Sequence, residues 1–132
     1  MTKSEIITYM DLDVWNFAHE FVLEIYKITK KFPEDEKYGL TDQLRRAASS
    51  IPANIAEGNG KQTTRLYIQS LYISKGELNE AGYFLLLSKD LEYLKKEKYY
   101  ELKTKLNRIE MMLMGLIISL KNKDKKKDVK EK

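Results

Sequence analysis

The chain has 132 residues, with 24 Lys and Arg, 20 Asp and Glu, one His and no Cys. This length fits one domain, which can bury roughly two-thirds of its unfolded surface without disulfide or metal support. The absence of Cys excludes disulfides, thiolate zinc sites and Cys nucleophiles, and a single His excludes paired-His metal sites. We therefore expect a protein that binds or assembles, with no catalytic residues, no metal and no cofactor.

The positive charge is concentrated at one end of the sequence. The formal net charge is +4, and residues 121–132 alone contain seven Lys and three acids, so residues 1–120 sum to zero. Within that neutral part, residues 1–37 carry a net −3 and residues 38–76 a net +3. The Lys-rich tail, 121–132, has too few apolar residues to bury, and we expect it to be disordered.

The first helical pattern spans about residues 12–32 and carries two apolar stripes. The second stripe contains Trp15, Val22 and Tyr26, and the two stripes together cover about 200° of the helix, whereas one buried side needs only about 100°. We therefore predict that Trp15, Val22 and Tyr26 lie at an interface between subunits. The alternative is a wide core face with Trp15 and Tyr26 at its rim.

The second helical pattern, about residues 40–57, contains Pro52 and a run of small residues, Ala47–Ala53. Pro52 removes one backbone donor, and the small side chains favour close packing against another helix. Gly58 is predicted to end this helix in the left-handed conformation that glycine tolerates.

The third and fourth patterns span about residues 64–87 and 95–122. Gly76 and Gly82 interrupt neither period, so we interpret them as sites of close packing. The fourth pattern has a second apolar row, Met111, Met114 and Ile118, which we interpret as part of the core because Met fills irregular gaps.

Four amphipathic segments with short connections predict an all-α protein, an antiparallel up-down-up-down four-helix bundle over residues 1–120. The first residues have no apolar run typical of a signal peptide. The longest apolar run, Met111–Ile118, is far shorter than the about 20 residues of a membrane span. We expect a cytoplasmic protein with no membrane partner.

Five basic residues flank the predicted turn after the second helix and are our candidates for phosphate contacts: Arg45, Arg46, Lys61, Arg65 and Lys75. The unpaired backbone N–H groups at the start of the next helix favour an anion there. The alternative is that the two adjacent arginines form ion pairs with Glu57, Glu77 or Glu80. His19 is interpreted as a packed or interface-edge residue, and Glu77 with Glu80 lacks the His that a bundle metal site requires.

Several stretches resemble one known family. The most specific is QLRRAASSIPANIAEG at 43–58; AHEFV at 18–22, YGL at 38–40 and the pattern Gly76-x-Leu78-x-Glu80 add to it. With these residues the chain resembles the bacterial four-helix-bundle proteins encoded in intervening sequences of large-subunit ribosomal RNA genes. That family is related to the accessory variability proteins of diversity-generating retroelements.

The resemblance implies a compact protomer that assembles into a homopentameric barrel, and a family without an established enzymatic reaction. It also implies a nucleic-acid partner, RNA above all, contacted through basic surface. Our leading hypothesis is therefore a non-enzymatic homo-oligomer that binds nucleic acid through phosphate contacts. The alternative is an interaction scaffold that binds a protein partner and makes no nucleic-acid contact.

Overall fold

The computed structural model describes residues 8–131, with side chains through residue 127. It contains four α-helices: α1 (Asp13–Thr29), α2 (Leu40–Asn59), α3 (Thr64–Asp90) and α4 (Lys96–Glu131). Short 3-10 turns, Tyr9–Asp11 and Glu34–Glu36, precede α1 and α2, and residues 8–131 contain no β-strand. The predicted all-α four-helix bundle is confirmed. Residues 1–7, which gave the expectation of no signal peptide, and Lys132 of the predicted tail lie outside the described residues.

Helices that follow each other in sequence also pack side by side, and α4 closes the bundle against α1. Polar contacts show that neighbours are antiparallel. Asn59 at the end of α2 donates to the Tyr67 hydroxyl near the start of α3, over 3.3 Å. Near the other end of α3, Lys89 lies over the ring of Tyr99 in the first turns of α4.

The core is built from the side chains that the apolar periodicity placed on the inner faces. Its fully buried large members come from all four helices: Phe21, Ile25, Leu44, Ile51, Ile55, Leu71, Leu78, Leu85, Leu102, Leu106, Ile109 and Leu113. Each such side chain contributes roughly 1.5–3 kcal/mol relative to an exposed position. Across the described residues, no helix combines the length and the apolar character needed to cross a bilayer.

α2 and α3 pack closely where α2 carries its small residues. The Ser74 hydroxyl of α3 donates a 2.9 Å hydrogen bond to the Ile51 carbonyl oxygen of α2, and both residues are buried. Near the end of α2, a β-carbon on Gly58 would lie 2.7 Å from the Ser70 Cβ. The predicted close packing of this stretch is therefore present.

Gly58 has a different role from the one predicted from its position. The helix continues through it to Asn59, Gly60 is the C-cap residue, and no described glycine has a positive φ. The prediction that Gly58 ends the helix in a left-handed conformation is wrong. The residue is a glycine because Ser70 and Tyr67 of α3 leave no room for a side chain.

The Lys-rich tail also differs from expectation. α4 does not fray near residue 122 but continues to Glu131, where disorder was predicted. The segment from Lys121 to Lys127 contains no Gly or Pro, and Lys has a high helix propensity. Because the preceding turns are anchored in the bundle, the helix extends without new nucleation, the costly step of helix formation.

Candidate nucleic-acid interface

Arg45 is engaged within the bundle. Its Nε donates to the Thr29 hydroxyl over 2.8 Å, and a terminal nitrogen donates to the Tyr26 carbonyl oxygen over 3.3 Å. The guanidinium lies 4.5 Å from the centre of the Tyr26 ring. Arg45 thus joins α2 to α1. These contacts explain an arginine at this position without the predicted phosphate contact and without the alternative ion pair.

Arg46 and Lys61 are exposed, and each forms an ion pair with an acid of α2. Arg46 Nε lies 2.9 Å from Asp42, and Lys61 Nζ lies 3.2 Å from Glu57. Pairs this exposed contribute little to stability, and a phosphate group can compete for the cation. Of the three acids proposed as ion-pair partners for the two arginines, only Glu57 forms an ion pair with a described residue, and its partner is Lys61.

Arg65 is exposed and Lys75 half-buried, both on α3, and neither forms an ion pair with a described residue. The five candidates do not form one cluster. Arg45 and Lys61 are separated by 16 residues, roughly 24 Å along the direction of α2. Only Lys61 and Arg65 lie together at the α2–α3 turn.

The structure brings the Lys-rich end of α4 to that same end of the bundle. Lys121 Nζ lies 2.8 Å from the Tyr72 hydroxyl of α3. Because α3 and α4 are antiparallel, each further residue of α4 lies about 1.5 Å nearer the start of α3. Residues 121–127 therefore run alongside the first turns of α3, beside Arg65.

We call this region the basic end. It contains seven cations: Lys61, Arg65, Lys121, Lys123, Lys125, Lys126 and Lys127. The acids in the stretches 57–65 and 121–127 are Glu57, which is paired with Lys61, and Asp124. The two basic features of the sequence, separate along the chain, thus meet in one strongly positive surface.

The predicted interface residues on α1 lie in three different environments. Val22 is only 8% exposed and packs inside the bundle, so little of its side chain remains for a second subunit. Trp15 is half-buried, with the rings of Tyr9 and His19 each 5.1 Å away. Tyr26 is exposed but covered on one face by Arg45. His19 is exposed, and its ring stacks on Trp15.

One stripe along the outer side of α4 is uncharged over about 33 Å. Exposed residues recur there at spacings of three or four and form the α4 stripe: Tyr100, Thr104, Asn107, Met111, Gly115, Ile118 and Asn122. Met111 is 75% exposed and Ile118 is 54% exposed. The interpretation of these two side chains as core residues is wrong, because the inner face of α4 is already filled by leucines and isoleucines.

α3 has a similar outer face, the α3 stripe: Leu66, Gln69, Tyr72, Ile73, Gly76, Asn79 and Tyr83, all exposed. Apart from the glycine's chain neighbours and the nearby backbone of its own helix, no heavy atom lies within 4 Å of the place where a β-carbon on Gly76 or Gly115 would stand. Within the chain, the prediction of close packing at Gly76 is therefore wrong, whereas Gly82 does face Leu106. Two exposed glycines inside helices, each costing about 1 kcal/mol relative to Ala, have no intramolecular explanation.

Beside the α3 stripe, Glu77 is half-buried on α3. Burial is the main cause that raises the pKa of its carboxyl, and the negative charge of Glu80, one turn further on, adds to the increase. The two carboxylates therefore repel each other weakly on the surface of the bundle.

Comparisons with known proteins match residues 10–115 to the model of a family described as 23S rRNA-intervening sequence protein. A solved structure from Bacteroides thetaiotaomicron, of a protein with unknown function from the S23 ribosomal protein family, is similar at a TM-score of 0.74 and 30% identity. That similarity covers 79% of this chain and 94% of the other. No curated protein matches the chain.

Proposed function

Since the chain belongs to the 23S rRNA-intervening sequence protein family, we propose that it is a cytoplasmic, homo-oligomeric accessory protein that binds RNA without catalysing a reaction. The family is described by an intervening sequence of 23S rRNA, which makes RNA the first partner to consider. The name of the similar structure's family, S23 ribosomal protein, points the same way.

The observation that carries the proposal is the basic end. Its cations come from the α2–α3 turn, the first turn of α3 and the last turns of α4, so they form a broad surface. Lysines that contact phosphate position a nucleic acid without reading its bases. Binding at the basic end is accordingly insensitive to sequence and strongly dependent on salt. Double-stranded RNA suits such a surface, since it is recognised mainly by shape and backbone.

Self-association is the second part of the proposal, and the α3 and α4 stripes support it. Both stripes are uncharged and exposed, and each has a glycine with open space around it. Such a glycine allows another helix to approach closely. The two stripes lie on different helices, so the α3 stripe of one copy can pack on the α4 stripe of the next.

A head-to-tail contact of this kind generates a ring when the rotation closes. We propose a pentameric ring, the assembly that the family resemblance implies. Identical copies related by one axis place their basic ends on the same rim. Several weak phosphate contacts then act together on one RNA, which increases the overall affinity through effective concentration.

A binding titration tests the RNA proposal. Fluorescence anisotropy of labelled structured RNA and duplex DNA is measured with the full chain at about 50 and 200 mM salt, the range over which phosphate contacts weaken most visibly. We expect binding at low salt that falls steeply at high salt. Absence of binding to either nucleic acid at low salt would overturn the proposal.

The alternative is a scaffold that binds a protein partner. The same uncharged stripes favour it, because they offer no cations to the phosphates of a nucleic acid. The two functions differ in which surface matters. If an intact oligomer fails to bind RNA at low salt, the scaffold becomes the better account of the fold.

A further inference from the structure

A cleft of about 620 Å³ lies at the end of the bundle opposite the basic end, between the last turns of α1 and the first turns of α4. Four lysines line it: Lys27 from α1, Lys31 just after α1, Lys95 from the α3–α4 link, and Lys98 from α4. Its volume lies within the range typical of small-molecule sites, roughly 300–1,000 Å³.

Two carboxylates also line the cleft, but they are already paired. Lys105 binds one oxygen of Glu24, and Lys98 Nζ lies 3.3 Å from Glu101. The hydrogen bond from Lys105 to Glu24 raises the pKa of the lysine, as expected for an ion pair that holds its proton. The two carboxylates and these two lysines balance in charge.

The other three lysines, Lys27, Lys31 and Lys95, are exposed and form no ion pair with a described residue. They therefore give the cleft its net positive charge. Three ammonium groups around one concave site are a suitable arrangement for an anion with several oxygens, such as a phosphate group.

Glu24 supplies a second, independent feature. Its Oε2 atom is buried and accepts no hydrogen bond from a described residue. Lys98 Nζ lies 3.8 Å from this oxygen, which is beyond hydrogen-bond distance, and Lys105 binds the other oxygen, Oε1. Buried polar atoms are nearly always paired, so this oxygen is suited to accept from a hydroxyl or amino group of a ligand.

The cleft also has an apolar part. Ile28 and the buried Leu94 line it, with Tyr93 beside them. The Tyr93 hydroxyl donates to Glu36 over 3.0 Å, and its ring packs against Phe32. These contacts hold the tyrosine in place and leave an apolar wall against which a flat ring can lie.

From these features we propose that the cleft binds a 5′-phosphorylated nucleotide. The phosphate lies among Lys27, Lys31 and Lys95, a donor group of the sugar or base is bound by Glu24, and the base packs on Ile28 and Leu94. The site is about 38 Å along α4 from the lysines of the basic end, so it is separate from the proposed RNA-backbone surface. The nucleotide is either free or the 5′ end of an RNA chain.

Isothermal titration calorimetry with the full chain distinguishes these two sources. The probes are AMP, GMP, and a short oligoribonucleotide with either a 5′-phosphate or a 5′-hydroxyl. Binding of the mononucleotides alone identifies a free nucleotide as the ligand. Binding of the oligonucleotide about tenfold more tightly with the 5′-phosphate than with the 5′-hydroxyl identifies an RNA end. No binding of any phosphorylated probe at millimolar concentration overturns the proposal.

Two variants with the same loss of charge test the location. In the cleft variant, Lys27, Lys31 and Lys95 are each replaced by Gln, and affinity for the bound probe is expected to fall at least about tenfold. In the control variant, Lys30, Lys37 and Lys96, which do not line the cleft, are replaced by Gln, and affinity is expected to remain within about twofold to threefold. Equal losses in both variants would contradict a specific site.

A third variant separates this inference from the proposed RNA binding. Replacing Lys123, Lys125 and Lys126 by Gln alters only the basic end, and nucleotide binding in the cleft is expected to be unchanged. Loss of nucleotide binding in this variant would place the ligand at the basic end and refute the cleft as its site.

Discussion

Ser70 of α3 and Gly58 of α2 approach so closely that a β-carbon on the glycine would lie 2.7 Å from the Ser70 Cβ. This contact sets the distance between the two helices just before their connecting turn. The turn presents Lys61, and the first helical turn after it presents Arg65. The position of two cations of the basic end therefore depends on a residue with no side chain.

Gly58→Ala is expected to lower the free energy of unfolding by about 1–3 kcal/mol, because the added methyl group forces α3 away from α2. Gly76→Ala is the matched control: its β-carbon meets nothing within 4 Å, so higher helix propensity should stabilise the isolated protomer by up to about 1 kcal/mol. Urea denaturation monitored by circular dichroism measures both. A Gly58→Ala variant as stable as the natural chain would contradict the close approach at Gly58.

Ser74→Ala should cost about 1 kcal/mol of stability. The substitution removes the buried hydrogen bond to the Ile51 carbonyl oxygen, and a bond of this kind contributes about that amount. Ser119→Ala, at an exposed position of α4, is the control and should have almost no effect. Chemical denaturation of both variants measures the free energy of unfolding. An unchanged value for Ser74→Ala would show that this hydrogen bond does not contribute to stability.

Charge placed on the α4 stripe should abolish self-association without unfolding the protomer. Met111→Glu and Ile118→Glu put carboxylates on an exposed, uncharged surface, so helicity is expected to be preserved. Light scattering at micromolar concentration should show an oligomer for the natural sequence and a monomer for these variants.

Tyr38→Glu is the control for this experiment, because Tyr38 is 87% exposed and lies outside both stripes. It should leave the oligomer intact. A natural chain that is monomeric under these conditions would refute the proposed assembly, and dissociation by Tyr38→Glu would show that added negative charge alone disrupts it.

Glu77 predicts a dependence of stability on pH. Its pKa is raised in the folded state, so the folded protein binds this proton more tightly than the unfolded chain does. The ionised carboxylate is therefore destabilising above its folded pKa, and the penalty disappears as pH falls below the ordinary value of 4.5. Glu77→Gln should raise the melting temperature at pH 7 and give a smaller gain at pH 4.

The gain at pH 7 corresponds to at most about 1 kcal/mol, since the side chain keeps part of its contact with water. Glu92→Gln, on the exposed α3–α4 link, is the control. A gain from Glu77→Gln that is independent of pH would show that its cause is not the charge of Glu77.

Sequence periodicity was sufficient for the four helices because large apolar residues recur at helical spacing along the inner face of each one. It failed for Met111 and Ile118 because apolar character alone does not tell a core face from an exposed apolar face. Gly58 was misassigned because the reason for a glycine there is the position of Ser70 on another helix.

The candidate surfaces depended even more on tertiary structure. The basic end joins residues about 60 positions apart in the sequence, and the lysine cleft joins Lys27 with Lys95. Charge sums over sequence windows missed the cleft, because residues 1–37 are acidic overall although two of their lysines, Lys27 and Lys31, line it.

The central claim is that the basic end contacts RNA phosphates, and the salt dependence of RNA affinity tests it most directly. The slope of log K against log salt concentration counts these contacts, at about 0.7–0.9 per phosphate. The variant with Gln at Lys123, Lys125 and Lys126 should have a slope about 2–3 units shallower per protomer than the natural chain. The variant with Gln at Lys30, Lys37 and Lys96 should keep the natural slope, whereas identical slopes for the natural chain and the basic-end variant would contradict the claim.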